Sequence, residues 1–477
     1  HTALLFVQQL TAQVENWAKE LGGDYELNIF GRRIVVLTSI ADIRRVLTLR
    51  PSKFRRGLDS NRTLWVGKQA EVVPSMFFDE GKEWGRSRRL ISPNLVGHNV
   101  IAMIAYISKI GERLCTRLGE HAESCEAVDA RQYFARFTHD IIALAAFGVD
   151  VNSTGAMVGR PCPSFEAIES TLTILMLNLQ TIKKLQWKYL STLVPWVRRL
   201  KKSSRQMDAI VQMATDAARS DGVGDVSSIG GGRVFAGTLL RKIVGGPDCS
   251  ATSDRMKFSD NEVLHEVKGL FLAGTDTTSL ALSWAMYYLV KNPVAFARCR
   301  AEGLKVAPMS AGMVSTSEKL SQLVFCAAVF REVVRLRTAG PFLFHTSLNH
   351  RTKSGFKIGK GTPVMVLNRF ASTSEDNFTR GEEFVPERWI ESERADALLG
   401  KRKVGGVERN VRHVDEGFLA FGSGPRVCPG QAEASTIIAA VCSRFDVSLA
   451  PDQQPDPPEE ILRFTLGPKA IHLIFKR

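Results

Sequence analysis

The sequence predicts a mainly α-helical protein with a small β region, and three observations carry that prediction. Residues 100–150 repeat apolar positions at helical spacing. A capping box, Ser259-Asp260-Asn261-Glu262, opens a long run in which Val263, Val267, Leu270, Phe271 and Gly274 share one face. The clearest β signal is YELNIFGRRIVVLTS, Tyr25 to Ser39, which alternates apolar and polar residues on both sides of Gly31-Arg32, as a hairpin does.

Composition sets the outer bounds. The chain has 477 residues, 44% apolar and 23% charged, ordinary for a globular protein. Length alone suggests two or three domains. The net charge of +14 and the isoelectric point near 9.5 are not ordinary. They point to an acidic partner or an anionic surface. No run of five basic residues occurs and aromatic residues are not interleaved with basic ones, which disfavours nucleic acid. The eight cysteines show no paired C-x-x-C spacing. That suggests neither a disulfide framework nor a zinc site, and fits a reducing compartment.

Along the chain, HTALLFVQQLTAQVENWAKEL reads as a short amphipathic helix, and IADIRRVLTLRP as another that stops before Pro51. EWGRSRRL places Trp84 and Arg88 four apart on one helix face, leaving Lys82, Arg86 and Arg89 outward. Taken alone it is a solvated basic helix with a partly buried tryptophan. Residues 165–220 read as two helices broken near Pro195, most apolar at TLTILMLNL and WKYLSTLVPW. Ser220 to Arg233 is a glycine- and serine-rich surface loop. Its Gly-Gly-Gly-Arg lacks the strand and the Lys-Ser/Thr of a phosphate cradle.

The stretch Gly269 to Val290 carries one charge, Asp276. Its central TDTT would set several polar side chains in hydrocarbon, so it reads as a buried helix and not a membrane span. Within AGTDTT, Gly274 weakens the helix by about 1 kcal/mol relative to alanine and leaves a groove. The threonine hydroxyls can bond upstream carbonyls and bend the helix. VFCAAVFREVVRLR is strongly helical, with Glu332 and Arg335 three apart; such pairs are by themselves usually surface decoration. Gly400 to Gly417 reads as a charged loop.

FGSGPRVCPG, Phe421 to Gly430, has three glycines, Gly422, Gly424 and Gly430, so its backbone can turn tightly and approach a flat partner closely. Pro429 reads as the first residue of a helix through QAEASTIIAAVCSRF. Cys428 would then sit at the helix N-terminus, where the dipole favours a thiolate suited to binding a metal from one side. The bland alternative is a buried free cysteine beside a turn.

The order Phe421, Gly424, Arg426, Cys428, Gly430 resembles the haem-ligand loop of the cytochrome P-450 superfamily, of the eukaryotic microsomal type. Trp84-x-x-x-Arg88, AGTDTT, and Glu332-x-x-Arg335 with FVPERW follow the family's order too. The resemblance spans Trp84 to Gly430 and implies one domain, residues 1–477, around a buried haem b (iron protoporphyrin IX), with any N-terminal anchor outside this sequence. Cys428 would be the axial metal ligand. Arg426, Trp84 and Arg88 would contact the propionates, and Phe421, Gly424 and Gly430 would shape the loop. Ala273 and Gly274 would line the oxygen pocket, Thr277 would steady bound dioxygen, and Asp276 would feed protons inward. Glu332, Arg335 and Arg388 would form a buried network behind the loop. TKSGFKIGKGTPVMVLNR would be a β-hairpin. His345 falls where many members place a propionate-binding arginine. NRFASTSEDNF departs from the family's His-Arg-Asp pattern.

The implied activity is insertion of one oxygen atom from O2 into a lipophilic small molecule. Residues 165–200 would cover its pocket and touch the membrane. Electrons would come from an acidic, NADPH-dependent flavoprotein reductase docking at Lys82, Arg86 and Arg89. The implied place is the cytosolic face of the endoplasmic reticulum membrane. The same fold would serve a haem-thiolate isomerase or dehydratase acting on a hydroperoxide, although that chemistry needs no proton relay. A non-catalytic haem-binding or gas-sensing protein, or a helical binding protein without haem, are the readings of another class.

Overall fold

The computed structural model describes residues 2–29, 31–56, 75–95, 98–156, 165–169, 195–219, 239–244, 258–308, 312–348, 350–351, 357–390, 402–404, 407–409, 417–430, 434–463 and 465–477, with residues 162, 310 and 355. The apolar stretches within 171–194 and the loop 220–233 lie outside them.

Helices α1 (Thr2–Leu21) and α2 (Ile40–Thr48) flank the hairpin β1 (Tyr25–Ile29) and β2 (Arg32–Leu37). β3 (Phe54–Arg56) follows, then α3 (Gly81–Ile91) and α4 (His98–Ser124). The periodic stretch 100–150 breaks once. Cys125 takes a positive φ of 53°, and β4 (Val128–Asp129) intervenes before α5 (Ala130–Ile141). Asp129 caps α5 by accepting from the Arg131 N–H. A wider π-type turn, Ile142–Ala146, continues it.

Then come α6 (Pro195–Arg219), α7 (Leu239–Val244), α8 (Asp260–Lys291), α9 (Pro293–Val306), α10 (Ser317–Ser321) and α11 (Val324–Leu336). The capping box at Ser259 and Glu262 is present in full and starts the long α8. β5 (Leu343–Ser347), β6 (His350–Arg351), β7 (Lys357–Ile358) and β8 (Pro363–Val366) precede α12 (Asn368–Thr373). β9 (Arg402–Val404) and β10 (Val407–Arg409) pair within the stretch read as a charged loop. The chain ends with α13 (Ser435–Arg444), β11 (Asp446–Leu449), β12 (Glu460–Leu462), β13 (Leu466–Pro468) and β14 (His472–Lys476).

The main sheet has the order β1-β2-β8-β5-β3. The hairpin expected in TKSGFKIGKGTPVMVLNR is corrected here: β7 pairs with β6, while β8 leaves it to lie between β2 and β5. All four β8 residues but Pro363 are buried, a pattern that suits a central strand and not a surface hairpin.

Two apolar cores meet along α8. Val263, Val267, Phe271 and Leu272 join the π-type turn, α6 and α7 in one. Leu282, Trp284, Ala285, Met286 and Leu289 join α4, α9, α11 and α13 in the other. α8 is therefore a buried helix of a large domain, and among the described residues no helix is long and apolar enough to cross a membrane.

Behind the Cys428 loop, Glu332 and Arg335 are fully buried and 2.7 Å apart, and the equally buried Arg388 approaches Glu332 at 3.0 Å. Val385 N–H and Trp389 Nε1 each donate to the Glu332 carboxylate at 2.9 Å. Burial works to raise this carboxyl, but the two arginines hold it below the ordinary range. Removing one member strands the others. Glu332→Ala should lower unfolding free energy by about 3–5 kcal/mol in denaturant titrations; a loss below about 1 kcal/mol, the surface-pair range, would refute the buried network.

Candidate active site

Two groups of the residues singled out by sequence are each assembled by the fold. The first surrounds Cys428. Its loop closes through Cys428 N–H to Phe421 C=O at 2.9 Å and Val427 N–H to Gly424 C=O at 3.0 Å. Gly422 and Gly424 have φ of 72° and 71°, in the left-handed region. A side chain on Gly424 would strike Leu47 C=O at 2.6 Å, so glycine lets the loop rest on the end of α2. Arg88 Nη2 donates to Val427 C=O at 2.8 Å and so ties α3 to the residue before the cysteine. Arg426 lies 4.4 Å above the Trp84 ring. Trp84, Arg88, Phe421, Gly424, Arg426 and Cys428 are thus neighbours. Gly430 accepts the Cys428 thiol at 3.7 Å.

One expectation for this loop fails. Pro429 does not begin a helix: it lies in a bend, and α13 starts at Ser435. The helix dipole is therefore not at Cys428. Its thiol has an open face yet is closely flanked on its other sides, and that burial raises it above the ordinary thiol value, with Arg88 opposing.

Sequence reasoning singled out His345 here but missed its neighbours Arg50, Arg56 and Glu80. Arg50, at the end of α2, brings Nη1 to 3.2 Å from His345 Nε2 and donates to Ser423 C=O at 3.2 Å. His345, on β5, is buried and pairs in register with Arg56 on β3. Burial, then Arg50, Arg56 and Arg426, push it well below its ordinary value, so the ring is neutral. Arg50 is itself lowered to about 10 by burial and by Arg426. Glu80 answers this charge at 3.1 Å from Arg426. Among the described residues, the buried Nε and Nη1 of Arg426 have no hydrogen-bond partner. A buried cationic cluster with unsatisfied N–H groups fits an anionic ligand.

The second group is on α8. Ala273, Gly274, Thr277 and Thr278 are half-buried, while Thr275, Asp276 and Ser279 on the far side are buried. Here, between its two cores, the helix therefore has a partly open face. Thr277 Oγ1 donates to Ala273 C=O at 2.8 Å, the upstream bond expected of it. The groove at Gly274 is corrected: Ile142, from the π-type turn, fills it, and an added Cβ would meet Ile142 Cδ1 at 2.4 Å. Asp276 accepts from Thr465 Oγ1, and burial raises its carboxyl to about 6.

Of the three basic residues assigned to an outward face, Lys82 and Arg89 are exposed. Arg86 is not free: it pairs with Glu262 at the start of α8 and lies 4.9 Å over the Phe258 ring. Glu262 was legible only as a cap.

Two relatives of quite different origin frame the comparison. The chain is 25% identical to the cytochrome P450 monooxygenase sphH of Aspergillus fumigatus, over 98% of this chain and 84% of the relative. It is 25% identical to the chloroplastic carotene epsilon-monooxygenase of Arabidopsis thaliana, over 92% and 77%. A third, the steroid 17-alpha-hydroxylase/17,20 lyase of Oryzias latipes, is 24% identical over 91% and 81%. The family described as Cytochrome P450 matches residues 2–475. The chain belongs to the cytochrome P450 family, which makes it a haem-dependent oxidoreductase of the monooxygenase class.

Glu266, a residue to which sequence gave no role, holds the segment leading into α3. Met76 N–H donates to both its carboxylate oxygens at 2.9 Å. Burial raises this carboxyl from 4.5 to about 7. The native state then holds a proton that the unfolded chain releases earlier. Stability should fall as pH rises from about 4.5 to about 7. Thermal melts of Glu266→Gln should lack that decline; a parallel decline in both proteins would refute the assignment.

Proposed function

We propose that the chain binds haem b through Cys428 and inserts one oxygen atom from O2 into a lipophilic small molecule, with electrons from an NADPH-dependent flavoprotein reductase. The observation that carries this reading is the Cys428 loop beside a buried cationic cluster whose Arg426 keeps two N–H groups unsatisfied. When bound, haem supplies oxygen activation and the oxidising power for C–H or C=C attack.

The chain's own residues have distinct tasks in this reading. Cys428 would supply a thiolate to hold the iron, metal binding replacing the proton that burial otherwise retains. Arg426 and Arg88, with Trp84 and neighbouring Arg50, orient the propionates by charge-assisted hydrogen bonds. Phe421, Gly424 and Gly430 give the loop its shape. Ala273 and Thr277 present the half-open face of α8 to O2 and substrate, with Gly274 acting through its packing on Ile142. The Thr277 hydroxyl would face the oxygen site, and Asp276, its carboxyl raised by burial to about 6, would take up a proton and pass it on. Relatives named for carotene and for a steroid support a lipophilic substrate.

Lys82 and Arg89, without Arg86, form the reductase-facing basic patch, which would steer an acidic partner. The net charge of +14 supports a membrane surface beside it. We place the protein at the cytosolic face of the endoplasmic reticulum; accumulation of the tagged protein in a plastid would overturn that placement.

Cys428→Ala should lose the red-shifted band of the reduced carbon-monoxide complex; an unchanged band would identify another ligand. Thr277→Ala should retain haem but divert electrons into hydrogen peroxide, measured as peroxide per NADPH with reductase. Unaltered coupling would remove Thr277 from the proposed role. Product formed from a hydroperoxide without NADPH or O2 would favour the isomerase reading instead.

A further inference from the structure

Asp276 is joined to the C-terminal hairpin. Thr465, in the turn between β12 and β13, is buried and donates its hydroxyl to Asp276 Oδ2. The turn is fixed from three sides. Arg463 N–H bonds Thr465 C=O at 2.8 Å, and Leu466 N–H bonds Ala339 C=O at 2.8 Å. A side chain on Gly467 would strike Leu280 at 2.3 Å, so the hairpin sits directly on α8, one turn beyond Asp276.

The same turn reaches solvent. Arg463 Nη1 lies 3.6 Å from Glu169, which also meets Arg131 of α5 at 3.2 Å. Arg131 is nearly buried, whereas Glu169 and Arg463 are each 27% exposed. The charged groups acting on Asp276 are Glu169 and Arg131, with Arg463 completing the cluster.

We propose that Thr465 is a positioning residue for proton supply: its hydroxyl sets the Asp276 carboxyl and links it to a proton entry at Glu169, Arg131 and Arg463. This rests on Asp276 serving the monooxygenase reaction. A hydroxyl can do this because it donates to the carboxylate and accepts from the entering side. Proton uptake then converts Asp276 carboxylate to the acid, and its release returns the carboxylate; no redox partner is involved.

The test is infrared spectroscopy of the full chain. The protonated Asp276 C=O band is assigned by its loss in Asp276→Asn and followed against pH. The hydroxyl favours the charged form, so Thr465→Val should raise the midpoint above about 6 by about one pH unit. Glu169→Gln removes a negative charge and should lower it. Thr465→Ser should match the wild type. After mixing into D2O, hydrogen–deuterium exchange of the band should slow about tenfold in Thr465→Val, the same free energy read as a rate. An unchanged midpoint or exchange rate in Thr465→Val would reduce Thr465 to packing. The band reports whether or not haem is bound, so a wild type without the carbon-monoxide signature would sink the function and leave this result legible.

Discussion

A single carboxylate, that of Glu332, ties together the elements behind the cysteine loop. Desolvating an ion costs several kcal/mol, which favours replacing it by an apolar residue. Here the cost is offset by saturation. Two guanidinium groups, a backbone N–H and an indole N–H share its oxygens. From it, order passes outward by contact. Trp389 stands edge-on to Phe418 at 5.1 Å, and Phe418 to Phe421 at 5.9 Å. Arg335 donates to Ser372 C=O, and Ser372 Oγ donates to Gly417 C=O. The cysteine loop is therefore suspended from a charge network placed away from the chemistry, where rigidity costs no reactivity.

The opposite imbalance governs the near side. Arg50, Arg56 and Arg426 converge on a neutral His345, with Glu80 the carboxylate paired to Arg426. An unmet buried donor costs about 1–3 kcal/mol. Free protein thus carries a local deficit that an anionic cofactor would relieve, and ligand binding and folding become linked. Stability and cofactor retention should be one property in this part of the fold.

What sequence could show follows the range of the interactions. The capping box, the β1–β2 hairpin and the Trp84–Arg88 face depend on residues within a few positions, and each forms. Glu332 and Arg335 were legible as a pair, but their burial was not. The Arg50–His345 contact joins residues 295 apart, and Met76–Glu266 residues 190 apart. No local pattern marks either. The filled notch at Gly274 needed knowledge of the π-type turn bearing Ile142. Pro429 misled because a proline after a turn and a proline at a helix start share one signature. Arg86 misled because a charged helix face says nothing about which acid lies opposite.

The position of Asp276 and Thr277 on α8 imposes a constraint on how a proton can travel. Adjacent helical residues point about 100° apart, so the two side chains cannot share a face. Asp276 faces the buried side and Thr465; Thr277 faces the half-open side. Thr277 already donates to Ala273 C=O, which leaves its oxygen free to accept while its hydrogen is engaged. Ile142 fills Gly274 and closes one way around the helix between the two sides. In the proposed reaction, proton supply at Asp276 and the oxygen site beside Thr277 would lie on opposite sides of this helix, so a proton would pass between them only by rotation of Asp276 or through water.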